Sequence, residues 1–81
     1  MQTYTLANNQ VINDYGSFKT FVSYGTVIAH QTGLDTMLDS KALEYSKTTL
    51  KYLKQFLDTS ATKKEIQALI DNKYYLTGEL N

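Results

Sequence analysis

The residues that could carry chemistry in this chain are few and lie far apart. His30 is the only histidine and cysteine is absent, so the usual nitrogen and sulfur ligands of a zinc site are missing. Asp35 and Asp39 follow His30 across a predicted turn, where two carboxylates with water could hold Mg²⁺, although exposed turn carboxylates are common. We therefore expect no metal, no cofactor and no catalytic group at this cluster.

Motifs that bind phosphates or activate a nucleophile are also missing. The four glycines stand apart, so neither a P-loop nor a dinucleotide-binding fingerprint can be formed. Ser23 lies in Ser-Tyr-Gly, without the glycines of a nucleophile elbow. The step from Ser46 to Thr49 could offer hydroxyls and amides to an anion, but a Thr ahead of an apolar-periodic run is typical of a helix N-cap. The sequence predicts a protein that is not an enzyme.

A lysine stripe with neighbouring tyrosines is the best candidate for a binding surface. Lys47, Lys51 and Lys54 recur at helical spacing, and Tyr45 and Tyr52 lie beside them. The stripe could contact an acidic protein, and its rings could stack on bases of nucleic acid. It could equally be a solvated helix flank. A second candidate surface for a partner is the pair Tyr74 and Tyr75.

Charge is balanced overall but unevenly distributed. The formal net charge is zero, and all eight basic residues are Lys. Residues 41–64 contain six Lys against two acidic residues, for a net of +4, whereas residues 1–40 carry −2. The absence of Arg removes the bidentate contacts that read guanine, which disfavours sequence-specific DNA binding. Non-specific nucleic-acid binding remains an alternative to protein binding.

The first half of the chain has the pattern of short strands separated by turns. Asn8-Asn9 could turn a hairpin, and Gly25 is typical of a bulge or tight bend. The segment Ala42–Ser46 fits either a last strand or a helical turn. The other predicted strands are Thr3–Leu6, Gln10–Asn13, Phe18–Tyr24, Thr26–His30 and Leu34–Leu38.

The strand Phe18–Tyr24 carries aromatic residues on both of its faces. Phe18, Thr20, Val22 and Tyr24 alternate with Lys19, Phe21 and Ser23. Because each face presents a ring, this strand is predicted to be central in the sheet and largely covered on both sides.

The second half of the chain is predicted to form two helices, at residues 48–58 and 62–73. Thr48 or Thr49 starts the first, and Thr62 with Glu65 matches a capping box at the start of the second. Tyr74 should extend the apolar face of the second helix, ahead of a closing extended segment. The apolar positions are Leu50, Leu53, Leu57, Ile66, Leu69 and Ile70, which should face Phe18, Val22, Val27 and Ala29 or the alternate strand face.

These elements predict one small α+β domain spanning residues 1–81. An antiparallel sheet of four to six strands, within residues 3–46, is followed by two helices packed on one face. A chain this short buries a thin core, which a homodimer interface could extend. Tyrosine provides seven of the ten aromatic residues, and we expect at least half of these rings to be buried. No secretory signal or membrane-spanning segment is present, which predicts a cytoplasmic protein.

Two segments resemble a family of small uncharacterised proteins from phages and prophages of Gram-positive bacteria. They are Ser23-Tyr-Gly-Thr-Val-Ile-Ala29 and Tyr45-Ser-Lys-Thr-Thr-Leu-Lys-Tyr52, followed by Phe56-Leu57. The resemblance covers roughly Tyr15 to Leu57 and omits the second helix. Many members have His where this chain has Tyr52, and often Trp in place of Tyr45. The resemblance implies a gene product that acts in the cytoplasm of a bacterial host.

These observations favour a non-enzymatic accessory protein that binds a host protein. Small phage proteins of this kind include inhibitors of CRISPR and restriction defences, so an anti-defence role is the leading hypothesis. The alternative is a small non-specific nucleic-acid-binding protein that uses the lysine-rich first helix. The partner-binding residues predicted from the sequence are Tyr45, Lys47, Lys51, Tyr52, Lys54, Tyr74 and Tyr75.

Overall fold

Six strands form a single sheet, and two helices lie between the fifth and sixth strands in the chain. The computed structural model describes residues 1–81. The strands are β1 (Gln2–Ala7), β2 (Gln10–Asp14), β3 (Phe18–Ser23), β4 (Thr26–Thr32), β5 (Thr36–Asp39) and β6 (Leu76–Gly78), and the helices are α1 (Lys47–Leu57) and α2 (Lys63–Asp71).

The strands follow one another across the sheet in chain order. Neighbours from β1 to β5 are antiparallel, and only β5 and β6 are parallel. The predicted α+β fold is therefore confirmed, with the helices on one face. The closing extended segment does more than expected, because it returns to the sheet as β6 and pairs with β5. The two helices supply the long crossover that a parallel pair requires.

The turns between strands correct two of the predicted boundaries. Tyr24 belongs to a two-residue turn with Gly25 and not to β3, and both residues have positive φ, 51° and 79°. Of the two structures predicted for Gly25, a bulge or a tight bend, the structure shows the tight bend. The fifth strand starts at Thr36 instead of Leu34, whose side chain is 94% exposed.

A β-bulge in β4 brings two consecutive residues into the core. Val27 pairs with Val22 and Ala29 with Phe21, so Ile28 has no partner on β3. Ile28 and Ala29 are both buried, because the extra residue lets neighbours in sequence face the same side. They join the helix residues in one hydrophobic cluster made of Phe21, Ile28, Ala29, Leu38, Ala42, Leu53, Phe56, Ile66 and Tyr75.

The sequence left open which side of the sheet the helices cover, and in the structure they cover the side of Phe21. The rings of Phe21 and Phe56 stack with their centroids 6.0 Å apart, which places α1 over the Phe21 side of β3. Ala29 is part of this core, whereas Phe18, Val22 and Val27 are only half-buried on the opposite side. On α2, Ile66 is fully buried, and Tyr75 replaces Tyr74 as the ring that extends the apolar face.

The opposite side of the sheet has no covering layer, so the prediction that β3 is covered on both sides is wrong. We call this side the open face, and the strand registers and alternation assign its residues. Its apolar members are Val11, Phe18, Val22, Val27, Met37 and Leu76. Its polar members are Thr3, Thr5, Asn13, Thr20, His30, Thr32 and, at the end of β5, the buried Asp39.

Side-chain caps start both helices. In α1 the cap is Ser46, whose hydroxyl accepts the Thr49 amide at 3.1 Å, so the helix begins earlier than the predicted start at Thr48 or Thr49. In α2 the capping box of Thr62 and Glu65 is confirmed, with bonds of 3.2 and 2.9 Å. The segment before α1, residues 42–46, is neither strand nor α-helix but a succession of turns.

Candidate functional site

A groove runs between the β3–β4 turn and the start of α1. Tyr24 and Tyr45 line it from the two sides, and their side chains are 64% and 44% exposed. The volume is about 460 Å³, and the buried side chain of Ile28 contributes to the lining. We call it the Tyr24–Tyr45 groove; its lining residues are Ser23, Tyr24, Thr26, Ile28, Tyr45, Ser46, Thr48 and Thr49.

Tyr24 occupies a backbone conformation that suits other residues better. Its φ of 51° is left-handed, a region in which a bulky side chain is uncommon and Gly or Asn is favoured. Two-residue hairpin turns of this kind prefer Asn-Gly. The chain nevertheless places a large, mostly exposed ring there. An outlier of this sort is a reason to look for function, because backbone strain concentrates at functional sites.

A chain of hydroxyl groups fixes the buried side of the groove. The Ser23 and Thr49 hydroxyl oxygens lie 3.0 Å apart, and the Ser46 hydroxyl lies 3.2 Å from that of Thr49. Ser23 and Thr49 are buried, and their bond joins β3 to the first turn of α1. The two sides of the groove are therefore held at a set distance. Ser23 has a structural partner here and no base beside it.

Tyr45 is held in place by Asp39, a buried carboxylate 5% exposed. The Tyr45 hydroxyl donates to Asp39 Oδ2 at 3.3 Å. Partial burial and the negative charge of Asp39 raise the pKa of Tyr45, so the phenol stays protonated and remains a donor. This hydrogen bond holds the Tyr45 hydroxyl at Asp39, and the ring of Tyr45 lies between two hollows of the surface.

The second hollow, which we call the basic hollow, shares Tyr45 and Ser46 with the groove. Its volume is about 310 Å³ and it combines apolar with cationic side chains. The residues that line it are Leu43, Glu44, Tyr45, Ser46, Lys47, Leu50 and Lys63. The two hollows together form a continuous surface that offers rings, aliphatic side chains and both signs of charge.

The residues predicted from the sequence do not converge on one place. Tyr45 and Lys47 meet in the basic hollow. Lys51 and Lys54 line a separate hollow together with Asp58, which we call the polar hollow. Tyr52 is half-buried against the core, and the Lys51 ammonium lies 5.3 Å from its ring centroid.

The tyrosine pair before β6 is also divided by the fold. The rings of Tyr74 and Tyr75 meet edge-on with centroids 5.1 Å apart. Tyr74 is 69% exposed, but Tyr75 is in the core, and burial raises the pKa of its hydroxyl. Of the seven tyrosines only Tyr75 is buried, so the expectation that at least half would be buried is wrong.

Tyr24, Leu43 and Lys63 are not among the partner-binding residues predicted from the sequence. The sequence predicts Tyr24 as the end of a strand and places Leu43 in the segment Ala42–Ser46, whereas Lys63 belongs to the basic region of residues 41–64. A bulky residue ahead of Gly25 in a two-residue turn is the signal that could have drawn attention to Tyr24. Leu43 and Lys63 reach the same hollow only through tertiary folding.

No group of three or more potential metal-ligating side chains is clustered in the structure, and no helix is long and apolar enough to cross a membrane. Neither a curated protein nor a solved structure matches this chain. A protein-family model does match, over residues 1–72, a span that also includes α2 and so exceeds the resemblance seen in the sequence. The chain belongs to this family, described as a family of unknown function (DUF8033).

Proposed function

We propose that this protein is a non-enzymatic binding module that docks on another protein through the Tyr24–Tyr45 groove and the adjoining basic hollow. The observation that carries the proposal is Tyr24, an exposed ring kept on a left-handed backbone position. Tyrosine rings are frequent anchors of protein interfaces because they bury large area with few rotatable bonds. Five of the seven tyrosines are 44–69% exposed, and two of them, Tyr24 and Tyr45, line this surface.

The chemistry of the surface suggests what the partner presents. An apolar or aromatic side chain would fit between Tyr24 and Tyr45. A carboxylate beyond it would be attracted by Lys47 and Lys63, which outnumber Glu44 in the basic hollow. We therefore propose an extended, acidic segment of a protein as the ligand.

The resemblance to phage and prophage proteins motivates a further part of the proposal. The partner would be a protein of the bacterial host, and occluding it would serve the phage. An anti-CRISPR or anti-restriction role in the host cytoplasm is the form of this idea that we favour. A small module without catalytic residues can inhibit an enzyme by covering its working surface.

Replacing Tyr24 with Asn tests the proposal. Asn tolerates the left-handed conformation, so the variant should be more stable by about 1 kcal/mol while it loses the anchor ring. We expect capture of the host partner to fall at least tenfold and protection of the phage in a plating assay to disappear. A destabilised Tyr24→Asn protein, or one that captures its partner as well as the parent, would contradict the proposal.

Charge-reversal variants on the two helices provide a matched comparison. Lys47→Glu with Lys63→Glu alters the basic hollow, whereas Lys51→Glu with Lys54→Glu alters the polar hollow by the same amount of charge. The first pair should weaken protein capture and the second should leave it unchanged. Equal effects of the two pairs would indicate a general electrostatic attraction instead of a defined surface.

Nucleic-acid binding is the second candidate function, and the polar hollow supports it. Lys51 and Lys54 lie there, and the half-buried ring of Tyr52 is near the Lys51 ammonium. Binding of this kind should weaken steeply with salt. A gel shift at low salt that Lys51→Glu with Lys54→Glu removes would establish it, and the absence of any shift with DNA or RNA would eliminate it.

A further inference from the structure

The open face has an unusual composition for a surface in contact with water. Its one charged residue, Asp39 at the end of β5, is 5% exposed and accepts backbone amides, so the accessible part of the face carries no charge, although 20% of the chain is charged. Three stacked rings cross one end of it: Tyr15 on Phe18 at 4.6 Å and Phe18 on His30 at 4.8 Å between centroids. Three valines from adjacent strands lie beside them in the centre of the sheet, Val11 opposite Val22 and Val22 opposite Val27.

From these observations we infer that two copies of this chain pack together through their open faces. A two-fold dimer brings the same patch of each copy together, so the patch must be compatible with itself. A charged patch would repel its own copy, whereas an uncharged apolar face meets its copy without repulsion. Two antiparallel sheets stacked in this way form a sandwich with a second core.

The size of the face fits a weak but specific dimer. Six strands spaced about 4.8 Å apart give a width of about 24 Å, and strands of this length extend roughly 17 Å. Two such faces would bury roughly 800 Å² in total, which lies in the range of weak and transient interfaces, below about 1,200 Å². The association should therefore depend on concentration in the accessible range.

The dimer also accounts for the aromatic residue on each side of β3. Phe21 is buried under α1, and Phe18 would be buried under the second copy. The expectation that both sides of this strand are covered would then hold for the dimer and not for the single chain. The groove next to Tyr24 lies on the helix side and would stay accessible in both copies.

Analytical ultracentrifugation of the purified protein over a wide concentration range tests the inference. We expect a reversible monomer–dimer equilibrium that Val22→Lys weakens by roughly tenfold or more, because an ammonium would be desolvated without a partner. Thr5→Lys gives a second variant at an exposed position of the same face, where the fold of the single chain tolerates a lysine. Ala68→Lys, at an exposed position of α2 on the other side of the sheet, is the matched control and should associate like the parent.

Two results would overturn the inference. The parent chain could remain monomeric at every concentration, which would show that the open face does not bind a second copy. Alternatively, a dimer could form that neither Val22→Lys nor Thr5→Lys weakens, which would place the interface elsewhere. The assay uses the protein alone, so its outcome is independent of the function proposed for the groove.

Discussion

Asp39 connects three separate parts of the chain. Its two carboxylate oxygens accept the backbone amides of Lys41 at 3.2 Å and Leu80 at 3.1 Å, the Tyr45 hydroxyl, and the side-chain amide of Asn81 at 3.4 Å. Burial opposes the charged form of this carboxyl, but these donors outweigh burial and lower its pKa below the usual value. The charged form of Asp39 therefore stabilises the structure at the end of β5.

The lowered pKa of Asp39 predicts how stability depends on pH. In the window between the folded and unfolded pKa values the unfolded chain binds more protons, so stability falls as pH decreases through that window. The contribution of Asp39 is complete above about pH 5 and is lost in the acid range below the ordinary carboxyl pKa of about 3.9. Chemical unfolding at a series of pH values should show this decline.

The variant Asp39→Asn isolates the contribution of this residue. It should be less stable than the parent near neutral pH, with a shallower loss of stability on acidification. Asp35→Asn, a turn residue exposed to solvent, serves as the control and should keep the parent's slope. Identical slopes for the parent and Asp39→Asn would show that other carboxyl groups cause the acid dependence.

Gln10 is a second polar residue inside the protein, and its environment is very different. Its side chain is fully buried on the helix side of β2, and neither its amide nitrogen nor its amide oxygen has a hydrogen-bond partner. An unsatisfied buried group costs roughly 1–3 kcal/mol. Replacement by Met, which has similar length and no such requirement, should raise the free energy of unfolding by about 1 kcal/mol or more.

Denaturant unfolding of Gln10→Met and Gln31→Met gives a matched comparison. The Gln31 amide donates to the Thr36 hydroxyl at 3.1 Å, so its replacement removes an existing bond and should be neutral or destabilising. If Gln10→Met proved destabilising, the amide of Gln10 would have to be bonded within the core, for example to a buried water molecule.

The strand β6 is short, but it and the residues after it connect several parts of the structure. Its three residues pair in parallel with β5, and the Gly78 carbonyl accepts the Ser40 amide at 2.9 Å. Beyond it, the Asn81 side chain bonds both the amide and the carbonyl of Val27, at 2.8 and 2.9 Å. The end of the chain therefore bonds to the part of β4 that the short β5 does not reach.

Removal of residues 76–81 should therefore destabilise the whole domain. The truncated chain loses the β5–β6 pairing and two of the donors to Asp39, and we expect a fall of roughly 3 kcal/mol or more in the free energy of unfolding. Asn81→Ala removes only the side-chain bonds and should cost about 1–2 kcal/mol. Thermal and denaturant unfolding of both proteins would measure these losses. An unchanged midpoint in the truncated chain would show that β6 is only loosely attached.

At the scale of the whole molecule, the two sides of the sheet have different compositions. The helix side and the surrounding turns hold the lysines and nearly all of the acidic residues, together with the Tyr24–Tyr45 groove. The open face carries a layer of rings and aliphatic residues, and its one charged residue, Asp39, is buried. A module divided in this way can associate with itself on one side and recognise a partner on the other.

Local sequence determined most of the secondary structure. Alternation of side chains predicts β3, apolar spacing predicts α1 and α2, and the Thr62–Glu65 box predicts the start of α2, because each of these signals lies within a few neighbouring residues. Helical spacing also predicts a lysine stripe that starts at Lys47, with Tyr45 beside it, and these two residues line the basic hollow.

Tertiary structure decided what depends on contacts between distant residues. The burial of both Ile28 and Ala29 under the helices follows from the bulge at Ile28, since one extra residue shifts the alternation of β4. Asp39 looks like an ordinary turn residue until Leu80 and Asn81 return to it from the end of the chain. Likewise, Tyr24 and Tyr45 become the two sides of one groove only because the Ser23–Thr49 bond holds the β3–β4 turn against the start of α1. Such pairings are not encoded in any local window, because their partners are far apart in the sequence.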